Sequence, residues 1–257
     1  MAFAVRPQGW AAASPVARAA TAEEALLLGE ALEKTAGDLS RWAHTETRVI
    51  RDEKNRVKAE TIVRYDPSKP YREQWRPISV NGKPPTAKDF DKYRHQGERA
   101  RRRDERAERG QPSSRPTLGE VMDPRSARVV SDDGNRLVFE IPLKKDGNDR
   151  FPPEKFEVLA RIDRPSRGLE NIAVRLRESF RSKLILKVKS GGGTLDFERV
   201  DAKHPPTLTA IRGDASASIL FMSVGGELEL KRTEFKHVKP FNDRFDVQIG
   251  TMKAIDF

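Results

Sequence analysis

The alternation of apolar and charged residues between Phe156 and Leu230 leaves this chain few ways to fold. Phe156, Val158, Ala160 and Ile162 alternate with Glu157, Arg161 and Asp163. Ile172, Val174 and Leu176 then stand opposite Arg175, Arg177 and Glu178, and Leu184, Leu186 and Val188 opposite Lys183, Lys187 and Lys189. Successive strand side chains point to opposite faces, so this period describes antiparallel strands with one oily and one solvated face. Arg164–Gly168, Ser190–Gly193 and Lys203–Pro206 are rich in turn formers and are expected to separate the strands as hairpin turns. A meander of this kind needs something to cover its apolar side.

A cover is written near the start. Thr21 can cap a helix, and Glu24 three residues later completes a capping box. Ala25, Leu26, Leu28, Leu32 and Ala36 form an apolar stripe, and Gly37 is expected to end the helix. Residues 1–20 are Ala-rich and close on Ala17-Arg18-Ala19-Ala20, which reads either as the end of an export signal or as a disordered leader. In both readings they stand outside the fold, and residues 21–257 form a single domain.

Between the cover and the meander the pattern is mixed. Trp42–Val49 and Val57–Tyr65 read as a hairpin around Asp52–Asn55, and Tyr71–Val80 as an edge segment marked by its prolines. Asn81-Gly82 signals a turn, and Thr86 can cap a helix holding Asp89, Phe90 and Tyr93. Beyond Tyr93 no apolar stripe continues, so Arg94–Gly110 is expected to be an exposed helix or disordered, within a basic insertion at 86–116. Leu118, Val121 and Met122 suggest a short helical turn. Val129–Val130 and Leu137–Ile141 resume strands, Gly225-Gly226 reads as a tight turn, and Val238–Phe257 should close or edge the sheet.

Composition narrows function by exclusion. The chain has 257 residues, no cysteine, and 49 Lys and Arg against 39 Asp and Glu. The missing cysteines remove disulfides, thiolate metal sites and a cysteine nucleophile. No apolar run approaches the ~18 residues of a membrane helix. Charges on nearly every strand disfavour a lipid-spanning barrel. His44, His95, His204 and His237 show no local pairing at ligand or acid–base spacing, and structural or surface roles are expected for them. No phosphate-cradling or nucleophile-elbow motif occurs, so a non-enzymatic protein without cofactor is expected.

The capped helix at Thr21–Gly37, the paired strands from Trp42 to Trp75 and the meander from Phe156 to Leu230 together resemble the LolA-like periplasmic lipoprotein-carrier superfamily. The phrase from Trp75 to Thr86 is similar to a segment common in bacterial envelope proteins. The arginine-rich insertion after Tyr93 departs from the carrier pattern. The resemblance implies an incomplete β-barrel around helices, with an apolar cavity for acyl chains, in the periplasm.

The expected fold is therefore α+β: a curved, mainly antiparallel sheet of roughly ten strands, an incomplete barrel, covered by one amphipathic N-terminal helix and short helices. Its groove would take an acyl chain, a lipid or an apolar protein segment, lined by Leu26, Leu32, Phe139, Val158, Val174, Leu186 and Phe221. Arg99, Arg101, Arg102, Arg103 and Arg106 would face an anionic partner such as a membrane surface. The competing expectation is a cytoplasmic nucleic-acid-binding protein acting through Arg94–Arg115. Against both, Glu98 with Arg102 and Glu105 with Arg109 could simply neutralise the run along a solvated helix.

Overall fold

Both helix starts follow from the caps in the sequence. In the computed structural model, which describes residues 17–110, 122–144, 152–182, 186–219 and 222–244, helix α1 spans Ala22–Asp38 and α2 spans Ala87–Glu108. Thr21 and Glu24 close a reciprocal capping box on α1, and Thr86 and Asp89 close another on α2. Gly37 stays helical. Helix α1 runs one residue further and tightens into a 3-10 turn, Leu39–Arg41, before the chain extends.

The strands are β1 (Arg18–Ala19), β2 (Trp42–Asp52), β3 (Val57–Tyr65), β4 (Trp75–Val80), β5 (Arg128–Asp132) and β6 (Arg136–Glu140). They continue as β7 (Phe156–Asp163), β8 (Gly168–Leu176), β9 (Phe180–Ser182), β10 (Leu186–Glu198), β11 (Thr207–Ile219) and β12 (Met222–His237). Together they make one 12-stranded, unclosed antiparallel sheet ordered β1-β5-β6-β7-β8-β10-β11-β12-β2-β3-β4, with β9 also on β10. The architecture is the expected α+β one, a large open antiparallel sheet with an N-terminal helix.

Two expected turns are strand interiors. Gly191-Gly192-Gly193 lies in the middle of β10 and Gly225-Gly226 within β12, so runs that looked like pairs of short strands are single long ones. The glycines mark close approach of neighbouring backbones instead of chain reversal. A Cβ on Gly225 would stand 2.6 Å from the Ala215 carbonyl oxygen, and one on Gly226 would overlap that of Arg51. Gly191 pairs with Ala215 and Ala215 with Gly226, so a band of small residues crosses three strands where the sheet is tightest.

The leader drawn through Ala20 includes residues that join the sheet. Arg18 pairs with Val129 and Ala19 with Arg128. Arg18 grips Glu24 with two hydrogen bonds of 2.7 Å, and the Arg164 Nη2 atom stands 3.4 Å from the same carboxylate. Glu24 is itself buried. The Arg18 bond is the main reason its carboxyl titrates near 2, well below the usual range.

The main core lies between α1 and one half of the sheet. Leu27, Leu28 and Ala31 of α1 meet Val129, Leu137, Phe139, Val158, Ala160, Ile162, Leu169 and Ile172, joined by Phe197 and Leu208. Each leucine so buried is worth about 1.5–3 kcal/mol. A small satellite of Val138, Leu159 and Ala173 covers the opposite face.

Helix α2 docks at the other end of the sheet, on β4 and the 3-10 turn Tyr71–Glu73. Sequence periodicity leaves it solvated beyond Tyr93, yet Tyr93, Gly97 and Ala100 are buried along one face. Small residues replace the missing apolar stripe. Gly97 lets the helix backbone close on the Tyr71 carbonyl, and the Tyr71 hydroxyl donates to Asp104 Oδ2 at 3.0 Å. No described helix is long and apolar enough to cross a membrane.

Candidate functional site

Opposed residues in antiparallel strands share a face, so the register traces rows across the sheet. One row runs Val158–Val174–Gly193–Gly213–Leu228–Ile50–Ala59. It begins under α1 with Val158 at 2% exposure and reaches Leu228 at 37% and Ile50 at 42%. The face that forms the core therefore continues past the reach of α1 and there carries two exposed apolar side chains, Leu228 and Ile50. Gly193 and Gly213 contribute no side chain between the two ends, so the middle of the row is bare.

The neighbouring row, Phe139–Ala160–Ile172–Leu195–Ile211–Leu230–Arg48–Thr61, places a cation beside Leu228 and Ile50. Arg48 Nη2 donates to Glu46 Oε1 at 2.9 Å, and Arg232 Nε stands 3.5 Å from Glu46 Oε2. Two guanidiniums thus share one carboxylate. Burial depresses the Arg232 pKa, with the Glu46 charge acting the other way. The Arg48 side chain is about half exposed and open to a second acceptor.

The residues proposed from sequence to line a groove are divided by the fold. Phe139 and Val158 lie in the solid core; Leu32 and Val174 are half-buried against it. Leu26 is 59% exposed on the solvent side of α1 and stands away from the sheet. Only the backbone of Leu186 is described, and Phe221 lies outside the described residues, as do Leu118, Val121 and the chain from Phe245 onward. Sequence reading missed Ile50 and Leu228. Both sit in period-2 runs, but only the β12–β2 pairing puts them side by side.

Arg99, Arg101, Arg102, Arg103 and Arg106 are all exposed on α2. The expected neutralising pairs form differently. Arg101 takes Glu105 at 2.8 Å, while Glu98 is held by Arg72 at 3.3 Å and His95 at 3.1 Å. Glu98 is drawn to the Tyr71–Glu73 turn, so part of the helix charge serves docking.

A second constellation surrounds Trp42. Asp38, the last residue of α1, accepts from Trp42 Nε1 at 2.6 Å and lies 3.0 Å from His237 Nε2. His237 opposes Trp42 across β12 and β2, and His204, from the loop between β10 and β11, stacks on His237 with ring centroids 3.7 Å apart. These histidines are 33 positions apart in the chain, which is why no local spacing reveals them. A carboxylate at a helix C-terminus meets the negative end of the helix dipole, so Asp38 is locally disfavoured and is held by its partners. The neighbouring cleft, about 460 Å³, is lined by Lys34, Asp38, Arg167, Arg199, Lys203 and His204 among others.

His44 continues the aromatic layer toward Tyr65, 5.2 Å away, and Tyr65 toward Trp75 at 4.8 Å. Burial lowers the His44 pKa to about 3, with Arg232 and Arg64 adding repulsion, and raises Tyr65 to about 12. His44 is thus a neutral packing residue, hydrogen-bonded through Nδ1 to the Trp42 carbonyl at 3.0 Å. Comparisons with protein-family models, curated proteins and solved structures find no match for this chain.

Proposed function

We propose that this protein is a non-enzymatic binder of acyl chains, working in the bacterial envelope in the manner of a lipoprotein carrier. The observation that carries the reading is the exposure gradient along one row, from buried Val158 to open Ile50 on the same sheet face. Covering uncovered apolar surface is favourable by about 25 cal/mol per Å². A narrow, flexible hydrocarbon could lie along the strip between Val174 and Leu228, where Gly193 and Gly213 carry no side chain. An acidic headgroup, carboxylate or phosphate, would rest against Arg48, whose guanidinium lies one row away. An N-terminal helix set against an open antiparallel sheet is also the layout implied by the lipoprotein-carrier resemblance.

The test is displacement of a fluorescent fatty acid from the delipidated full chain. Saturable displacement is expected. Leu228→Glu and Ile50→Glu, both at exposed positions that leave the core intact, should weaken it at least tenfold, and Arg48→Ala should weaken acids more than the corresponding alcohols. No saturable displacement, or equal affinity in the glutamate variants, removes this function. Binding only of an apolar peptide would assign this exposed strip to a protein segment instead.

A further inference from the structure

We propose that Asp38, His204 and His237 form a site for a divalent transition-metal ion of the zinc class, at the C-terminal end of α1. Each offers one ligand atom, and these atoms lie within 4.8 Å of one another. Two imidazole nitrogens and a carboxylate oxygen are a donor set that zinc and related ions accept, with an open position for water or a ligand.

Three further observations point the same way. Trp42 Nε1 donates to Asp38 Oδ2 at 2.6 Å, which fixes the carboxylate and turns Oδ1 toward His237; an outer hydrogen bond of this kind commonly orients a metal ligand. The site sits at the negative end of α1, whose last turn carries no basic residue, so a cation there would offset both the helix dipole and the Asp38 charge. Finally, His204 stacks on His237 without a hydrogen bond of its own among the described residues, so its ring nitrogens are not committed to another protein group.

The stacked rings do not yet converge. With metal–nitrogen bonds of about 2.1 Å, tetrahedral donors stand roughly 3.4 Å apart, so the cluster must contract by on the order of 1 Å. His204 is the residue free to move, because it lies in the irregular stretch between β10 and β11 and not in a strand. Asp38 and His204 also line the 460 Å³ cleft, so the open coordination position would face it. Lys34, Arg167, Arg199 and Lys203 on the cleft walls would then favour an anion as the exchangeable ligand. The inference stands apart from acyl binding, which uses another part of the sheet.

The experiment titrates untagged full-length protein with Co²⁺, following visible absorption, and then displaces the cobalt with Zn²⁺. One equivalent is expected, with absorption bands typical of a low-coordinate site. His204→Ala, in a loop and outside the main α1 core, and Asp38→Asn, which keeps an acceptor for Trp42, should each weaken binding at least tenfold. His95→Ala, on α2 and remote from the cluster, should change nothing. Absence of binding, or the same affinity in His204→Ala as in the parent protein, overturns the site.

Discussion

Gly97 of α2 rests directly against the Tyr71 carbonyl, with no room for a Cβ between helix and turn. The neighbouring atoms are backbone, so they cannot rotate aside as a flexible side chain would. Gly97→Ala should therefore push α2 off β4 and destabilise this end of the sheet by about 1–3 kcal/mol, despite the better helix propensity of alanine. Hydrogen exchange localised to residues 87–108 is the measurement. Unchanged protection there would show that the contact is looser than described.

Arg18 and Glu24 should govern acid stability at the N-terminal edge. The folded Glu24 pKa lies near 2, below its unfolded value, mainly through the Arg18 hydrogen bond. A depressed carboxylate contributes stability that is present in full above the unfolded value near 4.5 and is lost as pH falls toward 2. Arg18→Ala should lower stability at pH 7, and the loss should shrink toward zero at the acid end. Denaturant midpoints at pH 7 and pH 3 test this, and an equal loss at both would exclude the ionic account.

His44 should act in the opposite sense to a salt-bridged histidine. Its folded pKa is held near 3 by burial while the unfolded residue titrates near 6.5. The unfolded chain therefore binds the extra proton throughout that interval, so stability falls as pH drops from about 6.5 to about 3. His44→Phe, which keeps the ring beside Tyr65 and removes the titration, should make the fall of the thermal midpoint across this range less steep. A slope unchanged by the substitution would place the acid sensitivity elsewhere.

The α2 arginines give a test between the two expected partner classes. Arg101→Ala, Arg102→Ala and Arg103→Ala together should leave thermal stability within roughly 0.5 kcal/mol, because all three are exposed. Affinity for anionic vesicles should drop, with a salt dependence reflecting the lost contacts. Strong salt-dependent binding to single-stranded RNA, abolished by the same changes, would instead favour the nucleic-acid reading.

Much of this fold can be read from local chemistry. Both capping boxes, the Asn81-Gly82 turn and the faces of β7 and β8 follow from side-chain period and turn preference. The glycine-rich stretches mislead, because Gly191–Gly193 and Gly225-Gly226 carry the same residues that a turn would use. What separates the cases is the neighbouring strand, which passes too close for a Cβ, and no local window contains that strand. The same reason hides the sites. Ile50 meets Leu228, and His204 meets His237 and Asp38, only after distant segments pair. Helix α2 is a third case: its docking face is built from Gly97 and Ala100, which no apolar periodicity detects.

The pairing of β12 with β2 sets Glu229 against Val49 and joins the last described strand to the first long one. Strand β2 precedes β12 by the span of strands β3–β11 and has no partner on that side until β12 is made. Among the described pairings this seam closes the longest stretch of chain and so carries the largest loop-closure entropy, and a chain cut short before Met222 would leave two ribbons without a seam.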